Sequence, residues 1–260
     1  MIDVELWRML AAYGFVVLVL FIFQWRGIAR KTQLIVATLR MTIQLMIAGY
    51  VLAYIFEHPH PLVVVGVVLG MVAFAIGTIY RRLDGPLSLR LKRVIALSMA
   101  SGSILALVYF LGVVLHVTPW FEPRYVLPIA GMMIGNAMTG VTLGMQSLMT
   151  AMDESRDTIE GSLMLGATPE RAVKPYVDRA FDAAVLPTLN SFIGMGIVFL
   201  PGLMTGQIIA GANPVTAIQY QIVTMLGVLG GVAMSVILAT QLGYRTYFSK
   251  DARLLRPDER

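Results

Sequence analysis

The sequence contains no cysteine, which excludes disulfides and thiolate metal sites. It is also poor in charge. Asp, Glu, Lys and Arg make up 13% of its 260 residues, against about a quarter in a soluble globular domain. No HExxH, GxSxG, Ser-Lys or paired intramembrane Asp pattern is present, so enzymatic chemistry has no candidate residues. There is no GxxxxGK[ST], and the chain cannot bind ATP in the P-loop manner itself. The start carries Asp3 and Glu5 where a signal peptide would carry a basic region, which argues against a cleaved leader. Internal repeats, low-complexity tracts and a soluble domain are all lacking. So is the inverted symmetry between halves on which many secondary transporters are built.

What is abundant is apolar sequence, 57% of the chain, with a mean hydropathy of +0.76. Long apolar stretches with few interruptions favour membrane-spanning helices over the alternating pattern of a barrel. The expected fold is all-α: a polytopic membrane helix bundle of about seven spans forming one permease-type domain over 1–260. The spans are expected at 6–23, 33–56, 61–80, 94–116, 125–149, 183–203 and 215–242. Each reaches the ~20 residues that cross a bilayer core.

Basic residues alternate sharply between the connections. One side holds Arg26, Arg30, Lys31, Arg81, Arg82, Arg90, Lys92, Arg93, Arg156, Arg171, Lys174 and Arg179, then Arg245, Lys250, Arg253, Arg256 and Arg260 in the tail. The other side holds Arg8 and Arg124 among Asp3, Glu5, Glu57 and Glu122. The positive-inside rule then places the N-terminus outside and the C-terminus in the cytoplasm. The net charge of +5 is thus a topology signal, not one for nucleic acid. Pro201-Gly202 is expected to close the sixth span, and Asn213-Pro214 to cap and open the seventh. The apolar stretch between them is an outer loop or a short re-entrant piece.

Polar residues inside spans are candidates for a substrate path. Arg40 and Gln44 share a helical stripe with Gln33, Ala37 and Ala48. Arg40 either faces the interior or snorkels to the interface. In the fifth span Met132, Asn136 and Thr139 fall on one face, and the same span carries the GxxxG pairs Gly131/Gly135 and Gly140/Gly144. In the sixth, Asn190 follows Pro187. A thioether, amides and a freed carbonyl suit a metal ion held weakly, whereas the Gly pairs and Asn136 suit plain helix packing. The turn Glu57-His58-Pro59-His60 offers one carboxylate and two imidazoles, and reads as an exposed turn. Gln207, Asn213, Gln219 and Gln221 gather around the last outer connection.

Residues 150–182 are a charged stretch between two apolar spans. A helix is expected to end near Gly166, where glycine suits the left-handed position. A second starts with Thr168 as cap and Pro169 in its first turn, followed by Glu170. A short turn-bounded helix pair of this kind is what a soluble partner would grip. Its layout resembles the cytoplasmic coupling loop of ABC-transporter permeases. Glu160-Gly161-Ser162 stands where those permeases carry a Glu-Ala-Ala run, and Gly166 follows.

Beyond this, Pro119 to Thr240 resemble the FetB (YbbM-like) permease family. The matching pieces are PWFEPRY (119–125), GMMIGNAMTG (131–140), LGAT (165–168), LPTLNS (186–191) and LPGLMTGQIIAGANPVTAIQYQIV (200–223), with Arg40 and Gln44-Leu45 in the second span. The resemblance implies the membrane subunit of a bacterial ABC transporter of the cytoplasmic membrane, implicated in iron export. It implies a permease homodimer working with a separate ATPase that carries ATP and Mg, no cofactor on this chain, and lipid contact throughout. Glu160, Gly166, Ala167 and Thr168 would pass motion from the ATPase to the spans. Plant relatives associated with aluminium tolerance and nucleotide sugars leave the cargo open. An anionic cargo would suit Arg40, and a stand-alone secondary transporter or channel is the reading from another class.

Overall fold

The computed structural model describes residues 6–83, 85, 87–249 and 251–255. Asp3, Glu5, Lys250, Arg256 and Arg260 lie outside the described residues. Among those described, the elements are helices, with two isolated bridges, Met195 with Phe199 and Phe248 with Leu254. The chain divides into two units, Met1–Pro59 and His60–Arg260.

The first unit holds α1 (Leu6–Ala12), α2 (Gly14–Trp25) and α3 (Lys31–Glu57). The turn between α2 and α3 places Gly27 at φ +66°, a left-handed backbone that glycine adopts without penalty. α2 and α3 pack as a hairpin. The Tyr13 hydroxyl bonds Thr42, and the Lys31 ammonium donates to Gln24.

The second unit holds α4 (Pro61–Arg82), α5 (Leu89–Tyr109, extended by a π-turn over Phe110–Val114), α6 (Pro123–Glu154), α7 (Arg156–Met164), α8 (Pro169–Gly194), α9 (Gly202–Ile209) and α10 (Pro214–Gly243). Their starts are written in the sequence. Ser88, Thr168 and Asn213 each accept a backbone N–H with the side chain, and Pro61, Pro123, Pro169 and Pro214 occupy first-turn positions where a missing N–H costs nothing. α10 is central and packs against α5, α6, α8 and α9. The seam is filled by Ile95 and Met99 of α5, Met133, Val141 and Met145 of α6, and Val228, Val232 and Val236 of α10, all buried.

The two GxxxG pairs have different fates. A Cβ on Gly140 would lie 2.8 Å from Val232 Cγ1, and one on Gly144 3.2 Å from Ala184 Cβ. That pair is therefore the packing surface of α6 against α8 and α10. Gly131 and Gly135 have nothing within 4 Å of a Cβ.

Among the described residues, six helical stretches are long and apolar enough to cross a membrane: Trp7–Trp25, Lys31–Glu57, Pro61–Arg82, Leu89–Val114, Pro123–Glu154 and Pro214–Tyr247. The segment expected to span at 183–203 departs from its reading. α8 ends at Gly194, where the chain turns through Gly196 at φ +82° and closes the Met195–Phe199 bridge. Pro201-Gly202 therefore does not close that span. Pro201 is the extended residue that precedes α9, and Gly202 opens it. Only 183–194 of α8 is free of charge, a length of about 18 Å.

Candidate functional site

The segment 150–182 folds as two helices meeting at a sharp corner. α6 ends at Glu154, Ser155 separates it from α7, and α7 ends in a double closure. Gly166 N–H donates to Leu163 C=O and Ala167 N–H to Ser162 C=O, both at 3.0 Å, with Gly166 at φ +88°. This is the left-handed helix stop expected of Gly166. The Thr168 hydroxyl then accepts from the Arg171 N–H and α8 begins. α7 and α8 touch each other, and Ile159, Val173 and Val177 are buried beneath them. The corner itself projects apolar side chains: Met164 is 85% and Leu165 91% exposed.

Beside the corner lies a groove of about 570 Å³, lined by Arg156, Glu160, Leu163, Met164 and Ala167 on one side and Asp251 to Leu254 on the other. Glu160 and Arg156 form an ion pair at 2.7 Å. The same guanidinium donates to the carbonyls of Leu255 (3.0 Å) and Leu254 (3.3 Å). The tail is further closed by Ser249 N–H to Arg253 C=O and Leu255 N–H to Tyr247 C=O, both 2.8 Å. Arg156 is thus the joint between α7 and the tail. The sequence placed it four residues before Glu160, the spacing of a helical ion pair. Its second role was hidden because the tail lies about a hundred residues away.

Of the coupling candidates, Glu160 and Ala167 line the groove, Gly166 forms the corner and Thr168 caps the helix beyond it. We expect Arg156→Ala to leave the spans folded and to raise amide exchange over 248–255 by about tenfold or more. That follows from two charge-assisted hydrogen bonds of ~1.5 kcal/mol each, partly exposed. Unchanged protection by exchange mass spectrometry would show that the tail holds itself.

The path candidates are more dispersed. Met132, Asn136 and Thr139 share one outward face of α6, with the open pair Gly131 and Gly135. Asn136 Nδ2 donates to Met132 C=O at 2.8 Å and Thr139 Oγ1 to Gly135 C=O at 3.2 Å. Thr139 thereby pairs its hydroxyl proton, and Asn136 one of its N–H groups, without a neighbouring helix. Asn190 is exposed on α8, next to Ser191, whose hydroxyl donates to Pro187 C=O at 3.0 Å. Arg40 and Gln44 belong to the first unit and are exposed on α3, on a different face from Thr42, which meets α2 through Tyr13. In the turn 57–60, His58 stacks on Tyr54 and His60 Nδ1 accepts from Leu62 N–H, capping α4.

Residues 6–248 match the uncharacterised protein family UPF0014. The chain belongs to that family. Among its relatives, the UPF0014 membrane protein slr1647 of Synechocystis sp. is 35% identical over 232 residues, 89% of each chain. Protein ALUMINUM SENSITIVE 3 of Arabidopsis thaliana is 36% identical over 94% of this chain and 88% of its own. The probable iron export permease protein FetB of Escherichia coli is 35% identical over 83% of this chain and 82% of its own. No solved structure matches. This UPF0014 protein is a multi-pass membrane protein, with six candidate spans among its described residues. The family match takes in every candidate site residue and stops at Phe248, so the tail that Arg156 holds lies past it.

Proposed function

We propose that this UPF0014 protein is the permease subunit of an ABC transporter that exports a metal ion, iron, across the bacterial cytoplasmic membrane. A separate ATPase subunit carries the ATP and Mg, and the chain binds no cofactor. The corner at Gly166 carries the reading: a rigid, double-capped turn that displays Met164 and Leu165 beside an ion-paired groove. Exposed apolar side chains at the tip of a charged helix pair favour a soluble protein partner over water. The relative FetB, a probable iron export permease, supplies the cargo.

In this reading the chain is one permease domain with seven crossings, the N-terminus outside and the C-terminus cytoplasmic. The short apolar half of α8 and the turn after it make the sixth crossing. The basic residues of the connections support that orientation. Gly131, Gly135, Asn136 and Thr139 form a face of small and short polar side chains, suited to a second permease copy with the metal passing along the seam.

Two experiments test it. Purification of the chain from its native membrane should bring down an ATPase with a P-loop and no spans, and iron efflux from vesicles should require ATP. Efflux of the chain alone, driven by an ion gradient, would replace the reading by a secondary transporter. Met132→Leu with Asn136→Leu should lower efflux at least tenfold while the ATPase still co-purifies. Loss of the complex instead would assign that face to packing alone.

A further inference from the structure

The break between α8 and α9 forms one side of a half-open pocket, away from the corner at Gly166. It holds about 390 Å³ and is lined by Phe192, Met195, Met204, Gln221, Met225 and neighbouring apolar residues. Gln221 lies on α10, seven residues from its start, and is 3% exposed. Neither its Nε2 nor its Oε1 has a hydrogen-bond partner. A buried amide left unpaired is costly, because it gives up its hydrogen bonds to water and gains none in return. A Leu of similar size would avoid that cost, so the amide has a use that the protein alone does not supply.

The surroundings define that use. Met195, Met204 and Met225 line the same pocket, from the end of α8, from α9 and from α10. α8 terminates at Gly194, so the negative end of its dipole faces this break. Broken spans of this kind hold cations at their carbonyl ends. No acidic side chain lines the cavity, which disfavours an ion of charge two or more. Thioethers select soft ions, and Met ligands point to Cu(I) in particular.

We propose that Met195, Met204 and Met225, with the Gln221 carboxamide oxygen, form a binding site for a soft monovalent cation of the Cu(I) or Ag(I) class. The site is built within one chain and does not rest on the ATPase-driven reading. It would be occupied in the isolated protein whether or not iron is exported.

The full chain in detergent, under reductant, should withdraw one equivalent of Cu(I) from a chromophoric Cu(I) chelator. Met204→Leu with Met225→Leu should weaken that uptake at least thirtyfold, and Gln221→Leu about tenfold. Met41→Leu, on α3, should leave it intact. Leu for Met nearly conserves volume. Should the double variant fail to fold, the unaltered chain still decides. With Ag(I) present, peroxide oxidation of Met195 and Met225 should slow at least fivefold, while Met164 at the exposed corner oxidises as before. The proposal is overturned if the chelator keeps all the Cu(I), or if Ag(I) leaves the oxidation of Met195 and Met225 unchanged. Recovery of a lipid acyl chain from the cavity without Cu(I) uptake would overturn it equally.

Discussion

In the proposed transporter, Gly166→Val is expected to abolish stimulation of the ATPase subunit while leaving the protein inserted in the membrane. Nothing lies within 4 Å of a Cβ at this position, so no clash is involved. The penalty comes from φ +88°, where a left-handed backbone costs an L-residue about 1–2 kcal/mol and a β-branched residue is an outlier. Val would relieve it by opening the two 3.0 Å bonds that close α7. The corner bearing Met164 and Leu165 would then swing, whereas Ile159 of α7 and Val173 and Val177 of α8 would stay buried in the body of the protein. Gly166→Asn should retain most stimulation, because Asn tolerates this conformation. Glu160→Ala should also lose stimulation, by freeing Arg156 from its 2.7 Å partner. ATPase rates in reconstituted vesicles, with and without the permease variant, decide the matter. Full stimulation by both Gly166→Val and Glu160→Ala would sink the coupling assignment.

Gly102→Val is expected to do the opposite and remove the folded protein. A Cβ at 102 would lie 2.6 Å from Ser235 Cα and 2.7 Å from Ser235 N. These are backbone atoms of the central helix, so no side chain can step aside. α5 and α10 would have to separate along a seam that also brings Ser103 and Ser235 hydroxyls to 3.4 Å. Overpacking of this sort costs about 3 kcal/mol, and more where backbone must move. The expected observation is a collapse in the yield of monodisperse protein and a thermal midpoint in detergent lowered by at least 10 °C. Gly131→Leu is the contrast, since its surroundings within the chain are open. It should fold normally and alter only association between copies. A Gly131→Leu protein as unstable as Gly102→Val would mean that the open face of α6 is covered in the folded chain.

The contrast between those glycines shows what the sequence could reveal and what it could not. Both GxxxG pairs of α6 read alike, yet only Gly140 and Gly144 pack. The difference lies in α8 and α10, which arrive forty to ninety residues later. Local chemistry was legible: Thr168-Pro169, Asn213-Pro214 and Gly166 each act as their residue types demand. The end of α8 was not. Met195 to Leu200 are all apolar apart from Gly196, so neither hydropathy nor period marks a break, and Pro201 drew attention as the nearest conventional stop. The polar cluster at the last connection likewise hid its differences. Asn213 accepts from Val215 N–H at 2.8 Å as a cap, while Gln221 is buried without a partner. Only the three-dimensional neighbourhood distinguishes a cap from a ligand.

The hydroxyls and the amide that bond their own helix bear on how this protein is made. Thr142 donates to Met138 C=O at 2.7 Å, Thr224 to Tyr220 C=O at 2.8 Å and Thr240 to Val236 C=O at 2.9 Å, as Asn136 and Thr139 do to α6. Each such group is satisfied as soon as its own turn of helix exists, before any neighbour is present. α5 and α6 leave the ribosome well ahead of α10, the helix they pack against. During that interval the α6 hydroxyls of Thr139 and Thr142 face lipid with their protons already paired. That lowers the cost of α6 waiting in the bilayer until α10 arrives.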